Sequence, residues 1–389
     1  MDSVLNRALV HEAFAVLETT AGTLEFPAAT DFIIPAGYCS LNQQPTFTDS
    51  EEIINSRSLI NRFQNMTGAG EWSVPMYLRP SGSAGSVPQG SALLTALFGT
   101  ETITGGTSVK YTLDKEKDSF SLWERCGKVV FFAKGCTASK CAVGITNKGA
   151  VKLDLSGGFM SMGWVGTDQL AADPLSGDTE VTPDDDKLFK VGGYVQFTTA
   201  GGTTYNNSNA GYEITAINRT TGVITLGTAL EADLDIDDYI EPFLPTGTKI
   251  GSPTEARNTT VSFDGGSSNA KIKEMSINVD DAIEYQEDEI TTEGYPTSYV
   301  EGRRSVTGRV AMLFRTNDLA YFYDGYAANT VDMQIKCGED TAGKRLTINM
   351  DNVSLPVPRK DYTAPTVEMS MDFVALGTNG EDEIEFLLD

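Results

Sequence analysis

The chain has 389 residues, enough for two or three domains, and 40% of them are hydrophobic, which argues against wholesale disorder. Its formal net charge is −25, and 29 basic against 54 acidic residues is the wrong balance for a protein that holds nucleic acid through phosphate contacts. No apolar run approaches the roughly 20 residues that span a bilayer, so we expect no membrane insertion.

The first residues, Met1–Arg7, lack a basic segment followed by an apolar one. No signal peptide is therefore visible, and we expect assembly in the cytoplasm. The five cysteines are an odd number, which favours reduced, buried thiols over a disulfide framework. Because His11 is the only histidine, we expect no cysteine–histidine metal site, no cofactor and no catalytic triad.

Short apolar runs separated by Gly, Ser, Thr, Asn and Asp predict a mainly β protein. In the first half, an acidic loop at Thr48–Glu52 precedes a strand predicted at Glu71–Arg79. A short helix is predicted at Ser91–Phe98, with Gly99 in the left-handed position that ends many helices. Further strands complete a sheet-rich unit with one packed helix.

The second half repeats this order of elements, which predicts an internal duplication. Three pairs of blocks match: Val74–Arg79 with Val310–Arg315 at an offset of 236, Arg125–Gly127 with Lys336–Gly338 at 211, and Leu153–Ser156 with Val367–Ser370 at 214. The offset of 236 also superposes Ser40 on Ser276. In this copy the acidic loop is Gln286–Glu289, and the helix is Asp318–Tyr323 with Gly325 as its expected C-cap.

An acidic segment separates the copies. Residues 167–250 carry fourteen acidic and four basic side chains, a net charge of −10. Four short strands are predicted there, and Asn218–Gly222 has the composition of a hairpin turn: Gly193–Phe197, Tyr212–Ile217, Gly222–Leu226 and Tyr239–Phe243. We therefore predict an inserted β-barrel or sandwich at 167–251, between a first domain at 1–166 and a second at 252–389.

Candidate sites for chemistry are weak. Asp233–Asp238 places acids at alternate positions, but a calcium loop would require Gly where Asp238 stands and Glu where Leu244 stands, so a solvated acidic turn is favoured. A pair of carboxylates acting as a glycosidase stays open, because the sequence does not give their separation in space. We predict that the protein is not an enzyme.

Three segments resemble the tail tube proteins of long-tailed phages. They are Val10–Thr23 with its Glu-Thr-Thr-Ala-Gly-Thr run, the helix segment Pro88–Gly99, and a C-terminal block from Gly302 through Asn352–Pro356 to Asp372–Ala375. Together they cover both repeats but not the acidic insert. The resemblance implies two tandem tail-tube-type β-sandwich domains, each with a short flanking helix, plus the inserted module.

The resemblance further implies a virion protein that forms stacked rings around the path of the ejected genome. Six tail-tube folds make a ring, so three duplicated chains would form a trimeric, pseudo-sixfold ring. Its implied partners are other copies of the chain, the tape measure, tail terminator and tail-tip proteins, and phage DNA that slides through an acidic lumen without specific binding. The implied ring-stacking loops contain the acids Asp49, Glu51, Glu52, Glu287, Asp288 and Glu289.

An insert projecting outward would obstruct a contractile sheath, which favours a long non-contractile tail of the siphovirus type. Two other classes stay open: a capsid decoration protein or glycan-binding adhesin, and a carbohydrate-active enzyme.

Overall fold

The computed structural model describes residues 11–53, 58–263, 268–289, 294–363 and 365–389, and it is mainly β, as predicted. The described residues before the acidic insert form these elements: β1 (His11–Leu17), β2 (Phe32–Ile33), β3 (Ser40–Asn42), β4 (Phe47–Asp49), β5 (Arg62–Gln64), β6 (Gly70–Tyr77), α1 (Ser91–Phe98), β7 (Gly99–Thr104), β8 (Ser108–Leu113), β9 (Phe120–Cys126), β10 (Val129–Thr146), β11 (Lys152–Phe159) and β12 (Ser161–Val165). Val10, with which the tail-tube-like segment begins, lies outside the described residues.

The insert forms its own antiparallel sheet, in the order β13-β19-β15-β17-β18-β14 with β16 beside β15. Its strands are β13 (Asp168–Gln169), β14 (Glu180–Val181), β15 (Tyr194–Thr198), β16 (Thr204–Tyr205), β17 (Tyr212–Asn218), β18 (Val223–Leu226) and β19 (Tyr239–Pro242). The four strands predicted in this segment are confirmed to within two residues at each end. The turn at Asn218 is confirmed as well, since its carbonyl accepts from the amide of Gly222 at 2.8 Å.

The described residues after the insert form the remaining elements. These are β20 (Thr260–Phe263), β21 (Ser268–Ala270), β22 (Ile272–Tyr285), β23 (Tyr299–Leu313), α2 (Leu319–Ala327), β24 (Thr330–Gly338), β25 (Arg345–Ser354), β26 (Arg359–Thr363), β27 (Thr366–Ala375) and β28 (Glu385–Leu388).

One sheet runs through both halves of the chain, and we call it the shared sheet. Its strand order is β3-β6-β11-β10-β22-β23-β27-β26, with every pair antiparallel. The halves meet where β10 pairs with β22, from Lys140 opposite Asp280 to Thr146 opposite Glu274. The main chain is hydrogen-bonded across this junction, so the halves are parts of one sheet.

A second sheet in the first half, the flank sheet, has the order β2-β1-β9-β10-β12. β10 belongs to both sheets because its pairing shifts register between Ala133 and Cys136, and such irregularities let a long strand bend from one sheet into another. The two sheets enclose the core, where Trp72 of β6 meets Phe120 of β9 edge-to-face at 5.2 Å.

The insert packs on the opposite face of the flank sheet. Side chains alternate along β1, so Ala13 and Ala15 enter the core between the sheets while Phe14 joins the core of the insert. Trp123 and Phe132 also point to the insert side, and their rings lie 4.9 Å apart. The layers therefore run from the shared sheet through the core and the flank sheet to the insert.

The halves are also joined beside α1. β8 of the first half pairs with β28, the last strand of the second half, from Val109 to Thr112. Residues Leu93–Phe98 of α1 are all buried, and the ring of Phe98 lies 4.7 Å from that of Phe386. The helix therefore packs mainly against strands of the first half, and Phe98 adds a contact with the second half.

Strand pairing repeats between the halves. Gly70 stands opposite Phe159 in the first half, and Gly308 stands opposite Phe373 in the second. In both places a Cβ on the glycine would collide with the facing phenyl ring. A strand pair outside the shared sheet repeats as well. The pair Ala15–Leu122 in β1–β9 corresponds to the pair Phe263–Met333 in β20–β24.

This register changes one sequence alignment. It superposes Gly70 on Gly308, an offset of 238, whereas the sequence pattern matched Val74 with Val310 at 236. A shift of two residues keeps every side chain on the same face of a strand, so alternation alone cannot distinguish the two offsets.

The two helices end differently. Gly99 has φ 97° and caps α1, as predicted. Gly325, predicted as the cap of the second helix, instead lies within α2, and Ala328 at φ 52° ends that helix. A Cβ on Gly325 would lie 2.7 Å from the backbone nitrogen of Val357, so glycine is needed there for close approach rather than for a left-handed turn.

A buried ionic cluster ties the halves together. Lys117 of the first half binds the carboxylate of Asp281 in β22 and the carbonyl oxygen of Leu97 in α1. Arg304 of β23 holds the other carboxylate oxygen of Asp281 at 2.7 Å and donates to the carbonyl of Asp114 at 2.7 Å. Burial lowers the pKa of Lys117, and the charge of Asp281 acts in the opposite direction.

We expect Asp281→Asn to lower the free energy of unfolding of the monomer by about 3 kcal/mol, because it leaves the buried Lys117 without its carboxylate partner. Arg304 keeps its ion pair with Glu381 at 2.6 Å. The neighbouring Asp280→Asn removes the exposed 3.6 Å pair with Lys140 and should cost less than about 1 kcal/mol. Urea unfolding of both variants measures the difference. Equal losses would mean that the buried cluster does not hold the halves together.

Candidate assembly surfaces

β4 and β5 form a two-stranded ribbon apart from the main sheets. We call this ribbon, together with the described residues between its two strands, the arm. The acidic loop predicted at Thr48–Glu52 therefore begins within a strand, because Thr48 pairs with Phe63. Arg62 binds Asp49 at 2.8 Å and lies 5.5 Å from the centroid of the Phe47 ring. These contacts cross the ribbon and hold its two strands together.

The arm exposes several apolar side chains, and Ile53 is 94% exposed. The others are Phe47, Leu59, Ile60 and Phe63. A run of apolar side chains in water is costly unless another surface covers it, so the arm has the composition of a contact surface. These apolar residues were not predicted as a contact surface, although Phe47 and Phe63 each stand between polar neighbours in the sequence.

The predicted stacking acids of the first half all lie on the arm and are exposed. Asp49 is paired with Arg62, whereas Glu52 accepts hydrogen bonds from Asn61 and Ser50, which lower its pKa. Glu51 is exposed on the same segment, directly before residues 54–57, which lie outside the described part.

The predicted acids of the second half, Glu287, Asp288 and Glu289, follow β22 and are also exposed. Glu287 reaches the base of the arm, where its carboxylate accepts from the backbone amide of Ala69 at 2.6 Å. The amide of Thr67 donates to the carbonyl of Gly294 at 2.9 Å. The structure thus brings Glu287 to the arm, on which Asp49, Glu51 and Glu52 lie.

The two ends of the shared sheet have unpaired outer edges within the described residues. β3 pairs only with β6, and β26 pairs only with β27. Both edge strands correspond to strands at the internal junction. β26 corresponds to the end of β10, because the pair Arg359–Ser370 repeats the pair Lys140–Ser156. β3 corresponds to β22. Tyr362, on the free edge, is 76% exposed.

The helices contrast in the same way. Residues Leu93–Phe98 of α1 are buried, whereas no described side chain of α2 is buried. On α2, Tyr323 is 71% exposed and Tyr326 is 80% exposed, and Leu319 is exposed beside them.

The only histidine lies in a buried cluster with a structural arrangement. Nε2 of His11 accepts from the amide of Cys39 at 3.2 Å, and its Nδ1 lies 3.6 Å from Glu124. Burial lowers the pKa of His11 and raises that of Glu124 to about 7. Burial also raises the pKa of Cys39 to about 12, so its thiol stays protonated rather than forming a nucleophilic thiolate.

Glu18, in the segment that resembles tail tube proteins, anchors the turn that follows β1. Its carboxylate accepts from the hydroxyls of Ser119 and Ser121 and from the amides of Gly22 and Gly135, at 2.6 to 2.9 Å. Four donors satisfy the buried charge.

The turn at Asp233–Asp238 is hydrogen-bonded rather than simply solvated. Asp238 is buried, and its carboxylate accepts from the amides of Ala200 and Asp235, each at 2.9 Å. Its oxygens satisfy backbone donors, which explains the alternating acids without a cation. No group of three or more metal-ligating side chains occurs among the described residues.

The described chain has five unpaired cysteines. Four are buried, and Cys126 is partly exposed. Within the described residues, no helix is both long and apolar enough to cross a membrane.

Comparison with known families gives one match. Residues 244–375 match the family described as phage tail tube protein, which covers about a third of the chain and contains β20 through β27. No curated protein matches the chain significantly. The family match supports a structural role in the virion, in which the protein is a tail tube component that assembles with copies of itself.

Proposed function

We propose that this protein is the major tail tube protein of a long, non-contractile phage tail, and that three chains form each pseudo-sixfold ring. The observation that carries the proposal is the junction of β10 with β22. This junction joins two similar halves into one sheet and leaves the equivalent strands, β26 and β3, free at its two ends.

Pairing of β26 with β3 of the next chain would continue the sheet in the manner of the internal junction. A free strand edge favours such pairing because its backbone groups lack partners, and ring closure removes the edges altogether. The repeated registers support the duplication, since a shared pairing scheme with glycine facing phenylalanine is more specific than strand alternation. Two copies per chain make three chains sufficient for six sheet units.

The layer order supports an outward insert. If the shared sheet lines the tube, the core and the flank sheet lie between the lumen and the insert. A module in that position would occupy the space around the tube where a contractile sheath fits. We therefore assign the protein to a tail of the siphovirus type.

The exposed face of the shared sheet suits a passage for DNA. Lys152 binds Asp154 at 2.8 Å, and Lys140 lies 3.6 Å from Asp280. Lysines neutralised by neighbouring carboxylates attract phosphate less, so DNA would slide along this face without specific binding. The acidic surface of the whole chain acts in the same direction.

Electron microscopy of purified protein, alone and with tail-initiation complexes, tests the proposal. We expect hollow tubes whose rings each contain three chains. Six chains per ring would refute the pseudo-sixfold arrangement, monomers under every condition would refute the tube, and a bound sheath would refute the non-contractile tail.

The exposed face of α2 should be an interface between chains of a ring. We expect Tyr323→Ser with Tyr326→Ser to leave the unfolding free energy within about 0.5 kcal/mol, because both side chains are exposed in the monomer. The concentration needed for assembly should rise at least about tenfold, since burying an aromatic side chain contributes about 1.5–3 kcal/mol.

The matched control is Leu175→Ser with Val191→Ser, which alters two exposed apolar side chains on the insert. Light scattering against protein concentration gives the assembly threshold for each variant. An unchanged threshold in the tyrosine variant, or an equal rise in the control, would contradict this interface.

The arm should connect successive rings through its apolar side chains. We expect Phe47→Ser with Phe63→Ser to leave single rings intact and to abolish stacking into tubes, because the arm lies apart from the sheet edges that close a ring. The comparison variant, Glu51→Gln with Glu52→Gln, should change the number of tubes less than the phenylalanine variant does, and mainly at low salt.

Mass photometry counts rings, and electron microscopy counts tubes. If the acidic variant loses stacking while the phenylalanine variant keeps it, the acids and not the apolar residues carry the ring-to-ring contact.

A further inference from the structure

An open cleft of about 940 Å³ lies between the insert and the segment that contains Phe26 and Pro27. Its volume is at the upper end of the range for small-ligand sites. Aromatic rings form part of its lining, and amide and carboxylate side chains form another part. Nothing in the ring assembly proposed above uses this cleft, which lies beyond the flank sheet from the shared sheet.

The aromatic part is held rigidly in place. The ring of Phe26 stacks on Tyr194 at 3.8 Å and lies 6.0 Å from Phe243. Trp123 meets Phe26 edge-to-face at 5.4 Å and donates from Nε1 to the carbonyl of Glu25 at 2.9 Å. A packed indole below the cleft therefore fixes the rings in advance, which lowers the entropy cost of binding.

The polar part includes donors and acceptors available to a ligand. The side-chain amide of Gln196 makes no hydrogen bond within the described residues, although it is half-buried in the lining. Glu213 adds an exposed carboxylate on the neighbouring strand β17. An apolar occupant would leave the amide of Gln196 unpaired, so the cleft favours a ligand with many hydroxyl groups.

The rim beside Gln196 is strained. Asn207, Ser208 and Asn209 all have positive φ, at 50°, 54° and 68°. Three consecutive left-handed residues without glycine are costly, and such strain concentrates at functional sites. Asn207 is held in this conformation by its side-chain amide, which donates to the carbonyl of Gly211 and to Thr228 at 3.1 and 3.2 Å.

The charge of the lining selects among ligands. The lining residues include a carboxylate and no lysine, arginine or histidine, and the surrounding insert has a net charge of −10. Phosphorylated or sulfated polymers would be repelled. We propose that the cleft binds a neutral oligosaccharide, whose C–H faces stack on the aromatic side and whose hydroxyls bind Gln196 and Glu213.

Saturation-transfer NMR on the full-length protein tests this inference with maltotriose, cellotriose and N-acetylated chitotriose as probes. We expect at least one to bind with a dissociation constant of about 1 mM or tighter. Gln196→Ala and Glu213→Ala should each weaken that binding by about tenfold, the effect of one lost hydrogen bond. Glu180→Ala removes an exposed carboxylate of the insert outside the cleft and should leave the affinity unchanged.

The inference is overturned by no binding of any probe at about 10 mM, or by binding that both cleft variants retain in full. Stronger binding of a sulfated oligosaccharide would also overturn it, because that ligand requires cationic contacts. Tube formation is measured in a separate experiment, so a failure of the cleft to bind oligosaccharide would not contradict the assembly proposal.

Discussion

Strand pairing between β10 and β22 is the contact on which the rest of the molecule depends. It places the two halves in one sheet, beside the pairing of β8 with β28 and the contact of Lys117 with Asp281. A sheet edge carries backbone groups that need partners, and here one half supplies them to the other. In the ring proposed above, β26 and β3 would supply the two sides of a second junction of this kind.

Two contrasts between the halves bear on the proposed ring. α1 is buried, while α2 exposes Tyr323 and Tyr326. Within the described residues, the end of β10 is paired on both sides, while β26 is paired only with β27. In the proposed ring, a further chain would pair with β26 and pack on α2.

The insert extends the protein without disturbing that sheet. Alternation along β1 lets one strand serve two cores, since its alanines face the shared sheet and Phe14 faces the insert. The small residues permit close packing between the sheets, and the large one supports the added module. The cleft forms where this second core reaches the surface beside Phe26, so the proposed ligand site and the proposed assembly surfaces lie on different layers.

The sequence by itself determined the β class, the position of α1, the strands of the insert and the turn at Asn218, because these depend on local periodicity and turn residues. The sequence also identified the acidic loops, because the charge of each side chain follows from its residue type. The predicted match of Val74 with Val310 differs by two residues from the match that the strand registers favour, because alternation alone does not distinguish the two. Gly325 was predicted as a helix cap but lies within α2, because a single glycine does not specify its neighbour. Only the tertiary structure decided which strands join the halves and that the aromatic side chains of Phe26 and Tyr194 meet, since these contacts link residues more than a hundred positions apart.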